Sequence, residues 1–239
     1  MTLVLAIATV IFAIPAWAGG LSGKSGAELA KIVKGGLLYD KWYSELDREA
    51  PKVTHPAYPK TSRYKGKSTW RCKECHGWDY RGRDGAYKKG KHFSGIPGIR
   101  GYNGRPPAGV VSILKDKNHL LGDKLPHSAL EALAAFVTQG QMDMTRYISA
   151  SKEVKGDAFK GGRIYAVTCA RCHGPEGREI NFGDKKKPKY MGTVANSNPW
   201  ETLHKIRVGQ PNEEMTSTLF LTEQQQVDVL KFTMGLPGK

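Results

Sequence analysis

Cysteine is scarce in this chain, with four among 239 residues. A disulfide-dense scaffold is thereby excluded. Low-complexity tracts are missing, and 39% hydrophobic with 25% charged residues is the composition of a folded protein. The length suits one large domain or two small ones. Alternating strand patterns are also missing. The 28 glycines and 13 prolines instead point to short helices joined by substantial loops, hence an all-α fold. Acidic residues are few: 22 Asp and Glu face 37 Lys and Arg, a net charge of +15. Such a field steers a protein toward acidic partners or anionic surfaces.

Long apolar runs are confined to the N-terminus, "MTLVLAIATVIFAIPAWAGG". Its apolar stretch falls short of the roughly 20 residues that a spanning helix needs. The small-x-small site Ala16-Trp17-Ala18 then outlines a secretory signal peptide over residues 1–18, although no Lys or Arg precedes the apolar core. The mature chain is expected to begin near Gly19 and to be exported, to a periplasm or its equivalent. The basic runs at 80–92 and 183–190 carry interleaved aromatics, a pattern also found in nucleic-acid binders. An exported protein rarely meets nucleic acid, so these runs read as solvated loops.

The four cysteines form two pairs, each followed at once by histidine: "WRCKECHGWDY" and "TCARCHGPEG". Cys72, Cys75 and His76 are thus matched by Cys169, Cys172 and His173, 97 positions later, with no cysteine left over. Sliding the second half back by 96 sets Phe232 on Phe136, Leu221 on Leu125 and Met215 on His119. A nearly constant offset over whole halves is a tandem duplication. The expected domains are 19–150 and 151–239, with the boundary near the polar stretch 146–157.

Each half reads in the same order. A helix precedes the motif (26–46 and 155–168), a glycine-rich loop follows it, then come a short helix (107–116 and 198–209) and a closing amphipathic helix (127–140 and 222–235). Asn198 with Pro199 opens one helix. Ser128 with Glu131 and Thr222 with Gln225 have capping-box spacing. The first copy alone carries the insertion "DREAPKVTHPAYPKTSRYKGKST", expected to be an ordered loop wrapping its domain.

A zinc half-site, a redox pair and a disulfide are ordinary readings of Cys-x-x-Cys, but none explains the histidine in both copies. Cys-x-x-Cys-His reads as covalent attachment of a c-type haem. Thiols three apart on a helical turn lie on one face, within reach of the vinyl groups along one porphyrin edge, and the next side chain points toward the iron. Two covalently bound haems are expected.

At these residues the sequence resembles the class I c-type cytochromes, arranged as a tandem dihaem protein. In the second copy the resemblance runs through "GGRIYAVTCARCHG", "IRVGQPNEEM" and the closing helix. It implies His173 as proximal and Met215 as distal iron ligand, with Met191 and Met234 as rivals. The first copy departs from the pattern: His119 stands where Met215 is expected. His76 to His119 spans 43 residues and His173 to Met215 spans 42, so His76 and His119 are assigned to the first iron. Met142, Met144, His55, His92 and His127 are the competitors.

The expected function is electron transfer between redox partners, docked through basic patches on acidic surfaces. Two other readings stay open. One is a dihaem oxidoreductase with an open first haem, of peroxidase or thiosulfate-oxidising type. The other is a subunit passing electrons inside a larger membrane complex or haem polymer.

Overall fold

The computed structural model describes residues 21 and 23–238; the leader expected over residues 1–18 lies outside them. Nine α-helices occur among the described residues. They are α1 (Gly26–Glu45), α2 (Cys72–His76), α3 (Pro107–Lys115), α4 (His127–Ala135), α5 (Ala158–Thr168), α6 (Ala170–His173), α7 (Met191–Ser197), α8 (Pro199–Val208) and α9 (Glu223–Met234). Pairing of strands among the described residues amounts to two isolated bridges, Gly82 with Pro97 and Ile148 with Val154. The fold is helical, as the composition implied. None of the described helices is long and apolar enough to cross a membrane.

The sequence repeat is also a repeat of contacts. Helix α1 crosses α4, and α5 crosses α9. A glycine sits at each crossing because no side chain fits. A Cβ on Gly35 would lie 2.0 Å from the Ala132 carbonyl oxygen, and one on Gly161 would lie 1.9 Å from that of Asp228. One turn on, Tyr39 packs on Phe136 with ring centres 5.4 Å apart, and Tyr165 packs on Phe232 at 5.1 Å. The Tyr39 hydroxyl donates to the Gly77 carbonyl at 2.6 Å, and Tyr165 donates to that of Gly174 at 2.8 Å. Those two glycines directly follow the Cys-x-x-Cys-His motifs, with φ of 77° and 76° that favour glycine. Each opening helix is therefore fastened both to its closing helix and to its motif.

The sequence signal for this arrangement is a repeated Lys-Gly-Gly-x-x-Tyr, at 34–39 and 160–165. These copies are 126 positions apart, whereas the cysteine motifs are 97 apart, so the first half holds 29 extra residues between the tyrosine and its motif. They carry α1 on to Glu45 and then form turns and one 3-10 segment, Gly66–Trp70, laid over the first half.

The halves share one core. Leu38, Trp42, Leu130 and Phe136 of the first are continuous with Leu203, Val208, Val227 and Leu230 of the second. Helix α8 lies on α1, where a Cβ on Gly36 would meet the Val208 side chain at 2.7 Å. The stretch 146–157 turns back on itself, burying Ile148 and Val154 in that core.

The caps follow the sequence with one correction. Ser25 and Thr222 form complete capping boxes with Glu28 and Gln225, and Asn198 caps α8 ahead of Pro199. Ser128 caps nothing. Pro126 holds the N-cap position, its carbonyl accepting the Ala129 and Leu130 N–H groups, so Ser128 falls inside α4. The closing helix of the first half then widens into a π turn at Phe136–Gly140. Met191, read as a loop residue, instead opens the short helix α7.

Candidate metal centres

The first motif follows directly on the 3-10 segment Gly66–Trp70, with Lys73 and Glu74 of its helix buried. Cys72, Cys75 and His76 are each partly accessible, yet the surrounding protein shifts their titration strongly. Burial pushes both thiols up to about 12 and the His76 imidazole down to about 4. His76 is thus neutral near pH 7, the form in which imidazole binds a metal. No disulfide joins either cysteine pair. No group of three or more His, Cys, Asp or Glu side chains converges among the described residues in the way a closed zinc site requires.

His119 lies opposite His76. Their ring centres are 6.2 Å apart and their planes differ by 18°. A metal-bound imidazole nitrogen sits about 2.0–2.1 Å from the ion and about 1.1 Å from its ring centre, so two rings flanking one ion have centres about 6.3 Å apart. The outer nitrogens are already engaged. His76 Nδ1 donates to the Pro97 carbonyl at 2.7 Å, and His119 Nδ1 donates to Asp116 Oδ1 at 3.1 Å. Nε2 of each ring makes no hydrogen bond among the described residues. This is how proteins fix the tautomer and orientation of metal-ligating histidines.

The competing side chains are committed elsewhere. His55 donates to the His119 carbonyl and accepts from the Ala57 N–H. His92 is stacked between Tyr64 and Tyr87, with one nitrogen on Glu74 and the other on the Tyr64 hydroxyl. His127 is exposed beside Glu131. Met142 and Met144 are fully buried in the hydrophobic core. His204, which sequence reasoning passed over, is buried and held neutral by that burial, its pKa lowered to about 3. It accepts from the Tyr80 hydroxyl at 2.8 Å and donates to the Gly36 carbonyl at 3.1 Å.

The second motif is more open. Cys169 is half-buried and Cys172 exposed, while His173 is buried and its pKa is lowered by burial. His173 Nδ1 has no partner of the kind Pro97 provides for His76. Phe182 lies 6.2 Å from the His173 ring and is 45% exposed. Val167, two residues ahead of Cys169, is 82% exposed. Phe182 is thus a large apolar side chain exposed beside a buried, unpartnered imidazole. Met215 is half-buried in the loop after α8, its carbonyl closing on Gly209. Of its rivals, Met191 is buried behind Gly177 and Met234 packs from α9 against the core.

A buried charge cluster joins the first motif to the second half. Asp40 of α1 accepts from Arg71, which immediately precedes Cys72, and from Lys205 of α8 at 2.7 Å. Burial alone would raise the Asp40 pKa, but Lys205 and Arg71 together hold it at about 2. Arg71, Lys73 and Lys205 also surround the Trp78 ring at 5.9, 5.3 and 5.6 Å. Inside the motif itself, Glu74 is buried between Lys73 and His92 at 2.7 and 2.9 Å.

The basic runs differ from one another. Residues 181–189 are exposed throughout, with Lys185, Lys186, Lys187 and Lys189 in solvent. In the run at 80–92 the lysines face out, but Tyr80 and Tyr87 are buried and offer no stacking platform. No protein-family model matches the chain, and no curated protein or solved structure is significantly similar to it.

Proposed function

We propose that the protein is an exported dihaem c-type cytochrome that transfers electrons between redox partners. Cys72 and Cys75 would carry one haem and Cys169 and Cys172 the other, each through thioethers. His76 and His119 would ligate the first iron, and His173 and Met215 the second. The observation that carries this reading is the facing pair His76 and His119, spaced for one ion between them, with both outer nitrogens occupied.

Haem iron, when bound, supplies one-electron chemistry by alternating between ferrous and ferric states. The protein supplies attachment, axial ligands and surroundings. Two imidazoles on the first iron and a methionine sulfur on the second would set the first centre at the lower potential, since methionine ligation raises it. Internal transfer would then run from the first half to the second. The exposed lysines of 185–189 flank the more open second site and suit a transient encounter with an acidic partner. An oxidoreductase with an open first site is disfavoured by the position of His119.

Low-temperature electron paramagnetic resonance combined with near-infrared absorption tests the assignment. One bis-imidazole and one histidine–methionine low-spin signal are expected. Met215→Ala should remove the near-infrared sulfur-to-iron band and lower the second potential. A band that persists in that variant would move the ligand to another methionine.

A further inference from the structure

The insertion peculiar to the first half has no counterpart in the second, where α5 leads directly into Cys169. We propose that this segment, residues 47–69, is a clamp that holds His119 as an axial ligand, acting through His55, with Asp116 fixing the imidazole ring. The proposal rests on the ligand assignment given above.

The clamp reaches the segment 119–124, which carries His119, at two points. His55 Nε2–H donates to the His119 carbonyl at 3.1 Å. Its tautomer is settled by the Ala57 N–H, which donates to Nδ1 at 3.2 Å and leaves the proton on Nε2. The Arg48 guanidinium donates to the Lys124 carbonyl. The Lys124 ammonium in turn lies 5.5 Å over the Trp70 ring. The clamp is itself anchored next to the first motif. Trp70 Nε1 donates to the Val53 carbonyl at 2.8 Å, and Trp42 Nε1 donates to that of Trp70 at 2.8 Å. The His55 ring packs on Trp70 with centres 4.3 Å apart, and its backbone N–H donates to Thr69 Oγ1.

The turn needs such support. Lys117 and Asn118 are exposed, and Leu120 takes a φ of 56°, which is unfavourable for a residue with a Cβ. Asp116 organises it from within. One carboxylate oxygen, Oδ1, accepts from the Asn118 N–H at 2.8 Å, the His119 N–H at 3.0 Å and His119 Nδ1 at 3.1 Å. Backbone position and ring rotation of His119 are therefore set by the same atom, and Nε2 is left for the iron. His55 and Asp116 are positioning residues. A histidine on an unsupported surface turn would swing away from the metal, so the copy with histidine in the distal position is the copy that carries the clamp.

The test uses the intact protein with both haems attached and carbon monoxide as the probe. Wild type should bind it poorly at the first ferrous haem, and His119→Ala defines the open site. His55→Ala and Asp116→Ala should each raise carbon monoxide binding at the first haem about 10–100-fold, the usual cost of losing an outer-shell partner. They should also shift the first haem's paramagnetic signal and leave the second unchanged. His55→Gln, whose amide can donate to the same carbonyl, should stay near wild type, and Asp116→Asn should fall between. An unaltered second haem signal shows that the fold is intact. If His119→Ala opens the site while His55→Ala and Asp116→Ala behave as wild type, the clamp is refuted. If the wild-type first haem lacks a bis-imidazole signal, the ligand assignment fails first and the clamp falls with it.

Discussion

Asp40 is a carboxylate buried between Arg71 and Lys205, in contact with both halves and adjacent in sequence to neither partner. Removing its charge leaves two partly buried cations facing each other, so Asp40→Asn should cost up to about 3 kcal/mol. The sign of the pH dependence follows from its depressed pKa, about 2 in the fold against an ordinary 3.8. The contribution is fully present above the ordinary value and is lost as pH falls toward about 2, an effect of about 2 kcal/mol. Denaturant titration of both proteins at about pH 6 and about pH 2 should show that component in wild type only. A wild type no more acid-sensitive than the variant would show that the pair is not coupled to folding. At this scale the sequence is eloquent about residues that sit in motifs and silent about their supports. Spacing, repeat offset and the resemblance single out the cysteines, His76, His173, His119 and Met215 in the sequence, and the structure sets His119 opposite His76. Asp116 is a short side chain in a charged turn, and Pro97 acts through its carbonyl, so composition marks neither. Asp40 is one of 22 acidic residues until the fold places two cations beside it.

The opening and closing helices of each half meet at a glycine, and that contact decides how closely the motif is held. Alanine is the better helix former by up to about 1 kcal/mol. At Gly35 or Gly161, however, its Cβ would collide with a backbone carbonyl at 2.0 or 1.9 Å. Gly161→Ala should therefore destabilise by about 1–3 kcal/mol through overpacking. Gly26→Ala, with nothing within 4 Å of the added carbon, should be neutral or slightly stabilising. Calorimetry of the two variants separates the effects, and equal behaviour would remove the close crossing from the account. Helix positions were legible because apolar periodicity and caps act locally. The start of α4 was not, because the fixed φ and free carbonyl of Pro126 take the cap position ahead of Ser128. Helix α7 went unread since seven residues carry too little periodicity. The insertion was legible as a loop wrapping the first half. Its hold on His119 was not, because a side chain bonding a backbone carbonyl 64 residues away leaves no pattern in sequence.

Across the whole molecule, a net charge of +15 and an exposed lysine run at 185–189 would, under the proposed function, steer an acidic redox partner toward the protein. Association with an acidic redox protein should slow by about tenfold or more from low to high ionic strength. Replacing Lys185, Lys186 and Lys187 with glutamine should flatten that dependence in stopped-flow electron transfer, while an unchanged slope would place docking elsewhere. The shared core and the α1–α8 contact join the two halves, so under the proposed function internal transfer would take place between halves packed on one another. What the account requires above all is that both Cys-x-x-Cys-His motifs carry covalently bound haem. Intact mass measurement of the denatured mature protein, purified from cells competent in c-type haem attachment, addresses this directly. The account predicts a mass increased by two haems, with none lost to acid-acetone extraction. A chain carrying four free thiols, a zinc ion or only extractable haem would contradict it.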